Sequence, residues 1–275
     1  MSAQFGGDQY IAGQKEPVID MPTRFVDFMR VLVPMAGDDT TPEGEQVNIY
    51  GNHVGSWNFA ATAYLNRWKV KIYYEHYFDD HSQMFFQYGR WKDGHIGLEI
   101  TFPKNRFIDT FVYEGLGTKD QTGPMLYDSF WGEFEEQISA KDNYYNHYLY
   151  QGWQHWGMGI GNPLLPGPIY NKNGQITFIS NRVLAHHIGF CGSPCQSLSY
   201  RMLLSYSRHW GTYDNPLNEI KKQFNSLFEV TYAPQQLKGW SFTVSGAMDR
   251  GSLLGNNYGG MLVIRKQGII KSGNK

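Results

Sequence analysis

Apolar and polar residues follow two different periods along this chain. Before Gln46 there is one run at helical spacing, which predicts a short amphipathic helix with Thr23 as its N-cap. The apolar positions of that helix are Phe25, Phe28, Met29 and Leu32. From Gln46 onward apolar and polar residues alternate one by one, as in a β-strand with one apolar face. The change divides the chain into an irregular, short-helix segment, 1–45, and a region of strands and loops, 46–275.

Strong alternation marks seven segments of the second region. These segments are 46–67, 68–75, 95–102, 197–207, 224–232, 240–249 and 258–266. Weaker runs near 107–115, 147–160 and 175–190 bring the predicted total to about ten strands. Two architectures satisfy this pattern: a soluble β-sandwich, whose apolar faces meet in a core, and a membrane barrel, whose apolar faces meet lipid.

The length and chemistry of the segments favour the barrel. Strands of soluble domains usually run about 5–6 residues, and several of these segments are much longer. Aromatic residues gather near segment ends, and the opposite faces are small and polar, as suits a wet lumen. We therefore predict an all-β fold: an antiparallel transmembrane β-barrel with long loops. On this prediction Val70, Ile100, Leu204 and Val244 contact hydrocarbon, whereas a sandwich would bury them.

Charge and hydropathy exclude other classes of protein. Lys and Arg (24) nearly balance Asp and Glu (25), so the chain has no basic field to hold a nucleic acid. No apolar run approaches the roughly 18 residues of a transmembrane helix, while a membrane-spanning strand needs only about 9–11. Residues 1–8 show no export signal, so if the protein is exported, this chain is expected to be a mature form, an engineered form or a truncated reading frame.

Candidate binding chemistry lies in a stretch without charged side chains, 143–171. Its predicted strand portion carries Trp153 and His155 on one face and Trp156 on the other. Sugars lay their C–H faces on aromatic rings and share hydroxyls with amides, so these residues are candidates for glycan binding. The alternative is that the tryptophans pack or belong to an interfacial girdle.

Polar residues just before that stretch are further candidates. Asp142, Asn143 and Asn146 could bind sugar hydroxyls, although such residues beside a strand are also turn formers. A nearby acidic run could hold calcium, but its spacing favours a solvated loop, so we expect no metal. That run consists of Asp128, Glu133, Glu135 and Glu136.

The two cysteines, Cys191 and Cys195, flank Gly-Ser-Pro, which reads as a turn, and a disulfide across it is a candidate in an oxidising compartment. Catalytic motifs are absent: there is no nucleophile elbow, metalloprotease helix, P-loop or dinucleotide fingerprint. We therefore expect a non-enzymatic protein without a cofactor.

Five phrases, in this order, carry a resemblance to a known family. They are Gly51-Asn-His-Val-Gly-Ser-Trp-Asn58, Tyr73-Tyr-Glu-His-Tyr-Phe-Asp-Asp80, Asp142-Asn-Tyr-Tyr-Asn-His147, Gly152-Trp-Gln-His-Trp-Gly-Met-Gly-Ile-Gly-Asn-Pro-Leu164 and Ser205-Tyr-Ser-Arg-His-Trp-Gly-Thr-Tyr213. Together they resemble the capsule-assembly Wzi family of Gram-negative outer-membrane proteins, over about residues 22–270. Members are usually longer, so this chain resembles their C-terminal portion.

The resemblance implies a location and a role. It implies a β-barrel in the outer membrane that helps assemble or attach capsular polysaccharide, binding it as a lectin does, without chemical turnover. The expected partners are a capsular or other surface polysaccharide and the lipid of the outer membrane. A soluble glycan-binding or glycan-degrading sandwich and an outer-membrane diffusion channel stay open as alternatives.

Overall fold

The fold is known from a computed structural model that describes residues 1–9, 15–16, 18–79, 81–86, 92–105 and 107–268. In chain order its strands and helices are β1 (Ser2–Gln4), β2 (Gly7–Gln9), β3 (Ile19–Met21), α1 (Phe25–Leu32), α2 (Glu43–Val47), β4 (Asn52–Leu65), β5 (Trp68–Asp79), α3 (His81–Met84), β6 (Gly94–Thr101), β7 (Thr110–Gly117), β8 (Gln154–His155), β9 (Met158–Gly159), β10 (Val183–Cys195), β11 (Leu198–Gly211), β12 (Pro216–Tyr232), β13 (Trp240–Gly251) and β14 (Asn257–Lys266).

One antiparallel sheet of ten strands organises the molecule, in the order β1-β4-β5-β6-β7-β10-β11-β12-β13-β14. Two small sheets, β2-β3 and β8-β9, have two strands each. The prediction of a mainly antiparallel β fold is therefore confirmed. The large sheet is open, because β1 and β14 stand at its two ends and do not pair with each other. Among the described residues no helix is long and apolar enough to cross a bilayer.

Register sorts the sheet into two faces of opposite character. One row of cross-strand neighbours defines the apolar face: Ala61, Ile72, Leu98, Tyr113, Ile188, Leu204, Ser226, Met248 and Tyr258. The adjacent row defines the polar face: Ala60, Tyr73, Gly97, Glu114, His187, Ser205, Asn225, Asp249 and Asn257. A one-residue slip would exchange the two faces, so this separation fixes the register of every strand.

The apolar face stays exposed across the sheet. Ile72 is 55%, Phe228 51%, Val244 61% and Leu262 64% exposed. None of the four residues expected to contact hydrocarbon (Val70, Ile100, Leu204 and Val244) is buried. The chain exposes 17667 Å², against about 12,000 Å² for a compact soluble protein of this mass. No second large sheet of the described chain covers this face, as a sandwich would require.

The two ends of the sheet differ in the length of their connections. At one end the strands are joined through 66–67, 102–109, 196–197 and 233–239. At the other end the connections include 80–93 and the long excursion 118–182, and residues 18–51 lie there as well. We call residues 18–51 and 118–182 the cap. Hydrogen bonds join its two parts, for example from Tyr148 Oη to Glu45 Oε1 at 3.0 Å.

The buried core lies between the cap and the polar face. Trp153, Leu165 and Phe178 of the cap pack against Val183 and Ala185 of β10. Ala185 pairs with Ser207 of β11, on the polar side of the sheet. The long excursion therefore folds over the polar face and leaves the apolar face open.

Several predicted elements differ in the structure. The expected strand start at Gln46 is wrong, because 43–47 form α2 and β4 begins at Asn52. Helix α1 is confirmed, but its N-cap is Arg24, not Thr23, because the Asp27 carboxylate accepts the Arg24 backbone N–H at 2.9 Å. The predicted apolar stripe of α1 is largely exposed. The buried residues of the helix are Asp27 and Val31, which lie outside that stripe.

The predicted strand at 147–160 is also wrong. Only the two-residue strands β8 and β9 occur there. Backbone φ angles are positive at Gly152, Trp156, Gly157 and Gly161, so the segment turns repeatedly and cannot extend. The tenth strand of the large sheet is β1, from a segment that we predicted to be irregular.

Candidate functional site

A cavity with a volume of about 1340 Å³ lies at the cap end of the molecule. Its walls come from α2, from three parts of the excursion (126–131, 139–148 and 175–179) and from the β11–β12 connection with the start of β12 (212–218). Ligand pockets usually have volumes of about 300–1,000 Å³. The cavity therefore has room for a ligand larger than a typical small molecule.

The backbone of the wall segment 139–148 is strained, and hydrogen bonds from neighbouring parts of the chain hold it in place. Lys141 and Tyr145 both have positive φ, at 61° and 70°. The Asp79 carboxylate at the end of β5 accepts the Tyr145 N–H, and the Tyr145 carbonyl accepts the Trp153 N–H at 3.0 Å. At Gly152 a Cβ would lie 2.0 Å from the Tyr145 carbonyl oxygen, so only glycine fits there.

Three of the six predicted glycan-binding residues line the cavity: Asp142, Asn143 and Asn146. Their side chains also serve the scaffold. Asn146 donates to the Phe178 carbonyl at 2.9 Å and accepts the Phe178 N–H at 2.8 Å. Asn143 Oδ1 accepts from Asn146 at 2.9 Å and from Asn181 at 2.6 Å, while Asp142 accepts from Thr122 Oγ1 at 2.8 Å.

The other three predicted residues lie outside the cavity wall and do not form one surface. Trp153 is 7% exposed and belongs to the core beneath the cap. His155 and Trp156 lie on the β8–β9 hairpin, where Trp156 is 86% exposed and its ring meets that of His155 edge-on. The expected sharing of one strand face by Trp153 and His155 is wrong, because Trp153 precedes β8.

Two further aromatic rings stand at the cavity wall, Phe130 and Trp131, with ring centroids 4.9 Å apart. Trp131 is 69% exposed. Both lie in the acidic run that we interpreted as a solvated loop. Of that run's acidic residues Asp128 lines the cavity, accepting from Gln137 at 2.8 Å. No group of three or more metal-ligating side chains occurs in the described part of the chain.

A buried cluster around Glu45 forms the cavity wall beside α2. Glu45 Oε2 accepts the Gly51 N–H at 2.7 Å, and Glu45 Oε1 accepts from Tyr148. Burial and the nearby Glu45 raise the pKa of Tyr148, so its hydroxyl keeps the proton that it donates. The His147 ring lies with Nε2 3.8 Å from Glu45 Oε1.

His147 is held in its neutral form. Burial, with a smaller contribution from His53, lowers the pKa of His147 to about 4. The geometry agrees, since His147 Nδ1 accepts the Leu149 N–H at 3.0 Å and therefore carries no proton of its own. At neutral pH the cluster contributes no positive charge to the cavity.

Sequence reasoning missed Glu45, Asn48, His147 and Tyr148 as site residues. Glu45 and Tyr148 are 103 positions apart in the chain, and no local pattern connects them. The neighbourhood of aromatic and acidic residues around Phe130 was visible in the sequence and could have indicated a site.

Cys191 and Cys195, the candidate disulfide pair, are free thiols in the structure. The turn predicted between them is also displaced, because both lie on β10 and the β10–β11 turn is at 196–197. Residues four apart on a strand are separated by roughly 13 Å at about 3.3 Å per residue. A disulfide tolerates Cα separations only up to about 7 Å.

No protein-family model, curated protein or solved structure matches this chain. The resemblance to the Wzi family therefore stays a prediction based on the five phrases given above.

Proposed function

We propose that this chain forms part of an outer-membrane β-barrel that binds capsular or another surface polysaccharide without chemical turnover, as the resemblance to the Wzi family implies. The observation that carries the proposal is the exposed apolar face of the large sheet. Leaving that face in water would cost about 25 cal/mol for each Å² of apolar surface. Lipid hydrocarbon would cover it without a second layer of protein.

The asymmetry of the sheet supports the same proposal. Bacterial outer-membrane barrels have short turns on the periplasmic side and longer loops on the outside of the cell. Here the cap and the long connections share one end of the sheet. On this proposal the cap faces the cell exterior, where surface polysaccharide is found.

The cavity is the part of the cap that suits a glycan. Amide and hydroxyl side chains line it beside the rings of Phe130 and Trp131. Hydroxyl-rich sugars need both kinds of group, since hydrogen bonds fix their O–H groups and aromatic rings cover their C–H faces. We place the polysaccharide in this cavity rather than on the β8–β9 hairpin.

Two exposed tryptophans allow a matched test. A panel of capsular polysaccharides is immobilised, and the protein in detergent is titrated onto it. The wild type is compared with the Trp131→Ala and Trp156→Ala variants. We expect Trp131→Ala to weaken binding at least about tenfold, equivalent to about 1.4 kcal/mol, and Trp156→Ala to leave it within about twofold. A larger loss of binding for Trp156→Ala than for Trp131→Ala would place the site on the β8–β9 hairpin instead. If the protein binds none of the polysaccharides, the proposed function is contradicted.

A further inference from the structure

Basic side chains gather at the cap end of the apolar face. Arg208 of β11 lies directly across from Lys222 of β12. The two lie two residues beyond the Tyr206–Phe224 pair and four beyond the row that defines the apolar face. Side chains two residues apart on a strand point to the same side of the sheet, so both cations belong to the apolar face.

Two further cations join this pair. Lys119 Nζ lies 4.9 Å and the Arg208 guanidinium carbon 5.3 Å from the centre of the Trp210 ring. Arg182 Nε donates to the Lys119 carbonyl at 3.0 Å, and its guanidinium lies 3.8 Å from the centre of the Tyr213 ring. Ring contacts of this kind orient a cation but leave its charge in place. We call these four residues the basic cluster: Lys119, Arg182, Arg208 and Lys222.

The basic cluster keeps a net positive charge. In the described part of the chain none of its four residues forms an ion pair with a carboxylate. Glu219 of β12 pairs instead with Lys221 at 2.6 Å, and Asp120, next to Lys119 in the chain, can offset only one charge. Like charges directly opposite each other on neighbouring strands destabilise the pair. An anion from outside the chain would stabilise Arg208 and Lys222.

The position of the basic cluster favours a lipid over a soluble anion. Along β11 and β12 the outer face changes from apolar, at the row of Leu204, to aromatic, at Tyr206 and Phe224, and then to cationic. A bilayer shows the same order with depth: hydrocarbon, then the interface that aromatic rings prefer, then the headgroups. Lys222 is exposed and the other three cations are half-buried, so their stems lie along the sheet while their charges can reach a headgroup.

We propose that the basic cluster binds the anionic phosphate headgroup of a membrane lipid whose acyl chains lie along the apolar face of β11 and β12. This inference rests on the proposed function, since it requires that face to lie in a bilayer. It adds a second ligand site on the outside of the sheet, because none of the four residues lines the cavity.

The test compares two lipids that have the same chains. The protein in a neutral detergent is titrated with phosphatidic acid and with phosphatidylcholine, each carrying a fluorophore that accepts tryptophan emission. Phosphatidic acid has a net negative headgroup and phosphatidylcholine a neutral one. We expect phosphatidic acid to bind at least about tenfold tighter at about 10 mM salt, and the ratio to shrink at about 500 mM, where the Debye length falls below about 5 Å.

Variants then locate the preference. At about 150 mM salt, Arg208→Gln and Lys222→Gln should each weaken the binding of phosphatidic acid about fivefold, while Lys222→Arg keeps it. The matched control is Lys266→Gln, which removes an ammonium 5.4 Å from the centre of the Trp240 ring at the other end of the same face. This control should change binding by less than about twofold, because its charge lies more than a Debye length from the basic cluster. Phosphatidylcholine should bind all variants equally, which shows that they are folded.

Competitors distinguish the lipid from other sources of anionic groups. Inorganic phosphate and dextran sulfate carry such groups without acyl chains. We expect neither to displace phosphatidic acid at the concentration of anionic groups at which unlabelled phosphatidic acid displaces it. Equal displacement by inorganic phosphate would identify a site for free anions, and equal displacement by dextran sulfate a site for a soluble polyanion; both results would overturn the lipid assignment.

The remaining outcomes separate this inference from the proposed function. Equal binding of the two lipids by the wild type, or equal losses in Arg208→Gln and Lys266→Gln, overturns the inference and leaves the proposed function standing. A wild-type protein that binds neither lipid and does not enter vesicles contradicts the membrane location in the proposed function, and the inference fails with it.

Discussion

At the scale of single residues, two tryptophans of one charge-free segment, Trp153 and Trp156, have opposite environments. Trp153 is buried in the core beneath the cap, whereas Trp156 is 86% exposed. From the sequence, both were candidates for the same glycan-binding site. The structure separates them because the chain turns at Gly152 and again at Trp156 and Gly157, where φ is positive.

This difference predicts different costs of truncation. Trp153→Ala should lower the free energy of unfolding by about 3–5 kcal/mol, because it leaves a cavity between the cap and the sheet. Trp156→Ala should change it by less than about 0.5 kcal/mol, since the ring has few contacts to lose. Chemical unfolding in detergent, followed by tryptophan fluorescence, measures both. Equal losses at the two positions would contradict the assignment of Trp153 to the core.

His147 predicts a pH dependence of the cap. Its folded-state pKa of about 4 lies below the usual value near 6.5, so the unfolded chain binds a proton more readily than the folded one. The contribution of neutral His147 to the free energy of unfolding is therefore complete above pH 6.5. As pH falls toward 4 the fold loses up to about 3 kcal/mol of that free energy.

The variant His147→Asn isolates this effect, because an asparagine oxygen can replace Nδ1 as the acceptor for the Leu149 N–H. The difference in unfolding free energy between wild type and variant should shrink steadily between pH 7 and pH 4. A difference that does not depend on pH would show that His147 titrates normally in the fold.

Residue types alone could predict part of the candidate site. Asp142, Asn143 and Asn146 were identified from their hydrogen-bonding chemistry, and they do line the cavity. Glu45 could not be identified in this way, because its role depends on a hydrogen bond to Tyr148 across 103 positions. Contacts of that range are set by the path of the excursion, which no local period reports.

At the scale of elements, the alternation of apolar and polar residues predicted the strands that end in short turns. The same pattern gave wrong predictions within the cap. Strands β5, β11, β13 and β14 begin at, or within one residue of, their predicted starts. β12 begins at Pro216, eight residues before its prediction. The segment 147–160 failed because aromatic residues and glycines gave it the composition of a strand while its backbone turns.

One strand pairing on the polar face depends on a glycine. Tyr73 of β5 lies across Gly97 of β6, and its hydroxyl donates to Glu114 of β7, so one side chain connects three strands. A Cβ at Gly97 would lie 2.0 Å from the Tyr73 ring. Gly246, on the apolar face of β13, has no atom of the described chain within 4 Å of the same position.

We expect Gly97→Ala to displace the Tyr73 ring, break its bond to Glu114 and destabilise the sheet by about 1–3 kcal/mol. Gly246→Ala, the matched control, should leave stability unchanged or raise it by less than about 1 kcal/mol. Urea unfolding in lipid vesicles compares the two. If both variants lose the same stability, the glycine at 97 has no special packing role.

At the scale of the whole molecule, strand direction limits how the sheet could close. β4 and β14 both run from the cap end toward the opposite end, and β1 pairs with β4 only through Asn52–Val54. Pairing β4 directly with β14 would therefore be parallel. β1, which lies beside β4 at that end of the sheet and runs antiparallel to it, has the direction that an antiparallel pair with β14 would need.

The central claim is that hydrocarbon covers the apolar face of the sheet, and neighbouring positions on β4 test it most directly. Ala61 lies on the apolar face and Thr62 on the polar face, at nearly the same depth, and both are exposed. Spin labels on Ala61→Cys and Thr62→Cys variants in phospholipid vesicles are probed with oxygen, which concentrates in hydrocarbon, and with a water-soluble nickel chelate.

We predict that the label at 61 collides mainly with oxygen and the label at 62 mainly with the nickel chelate. Equal access of the nickel chelate to both positions, or a protein that stays in solution and does not enter the vesicles, would contradict the account.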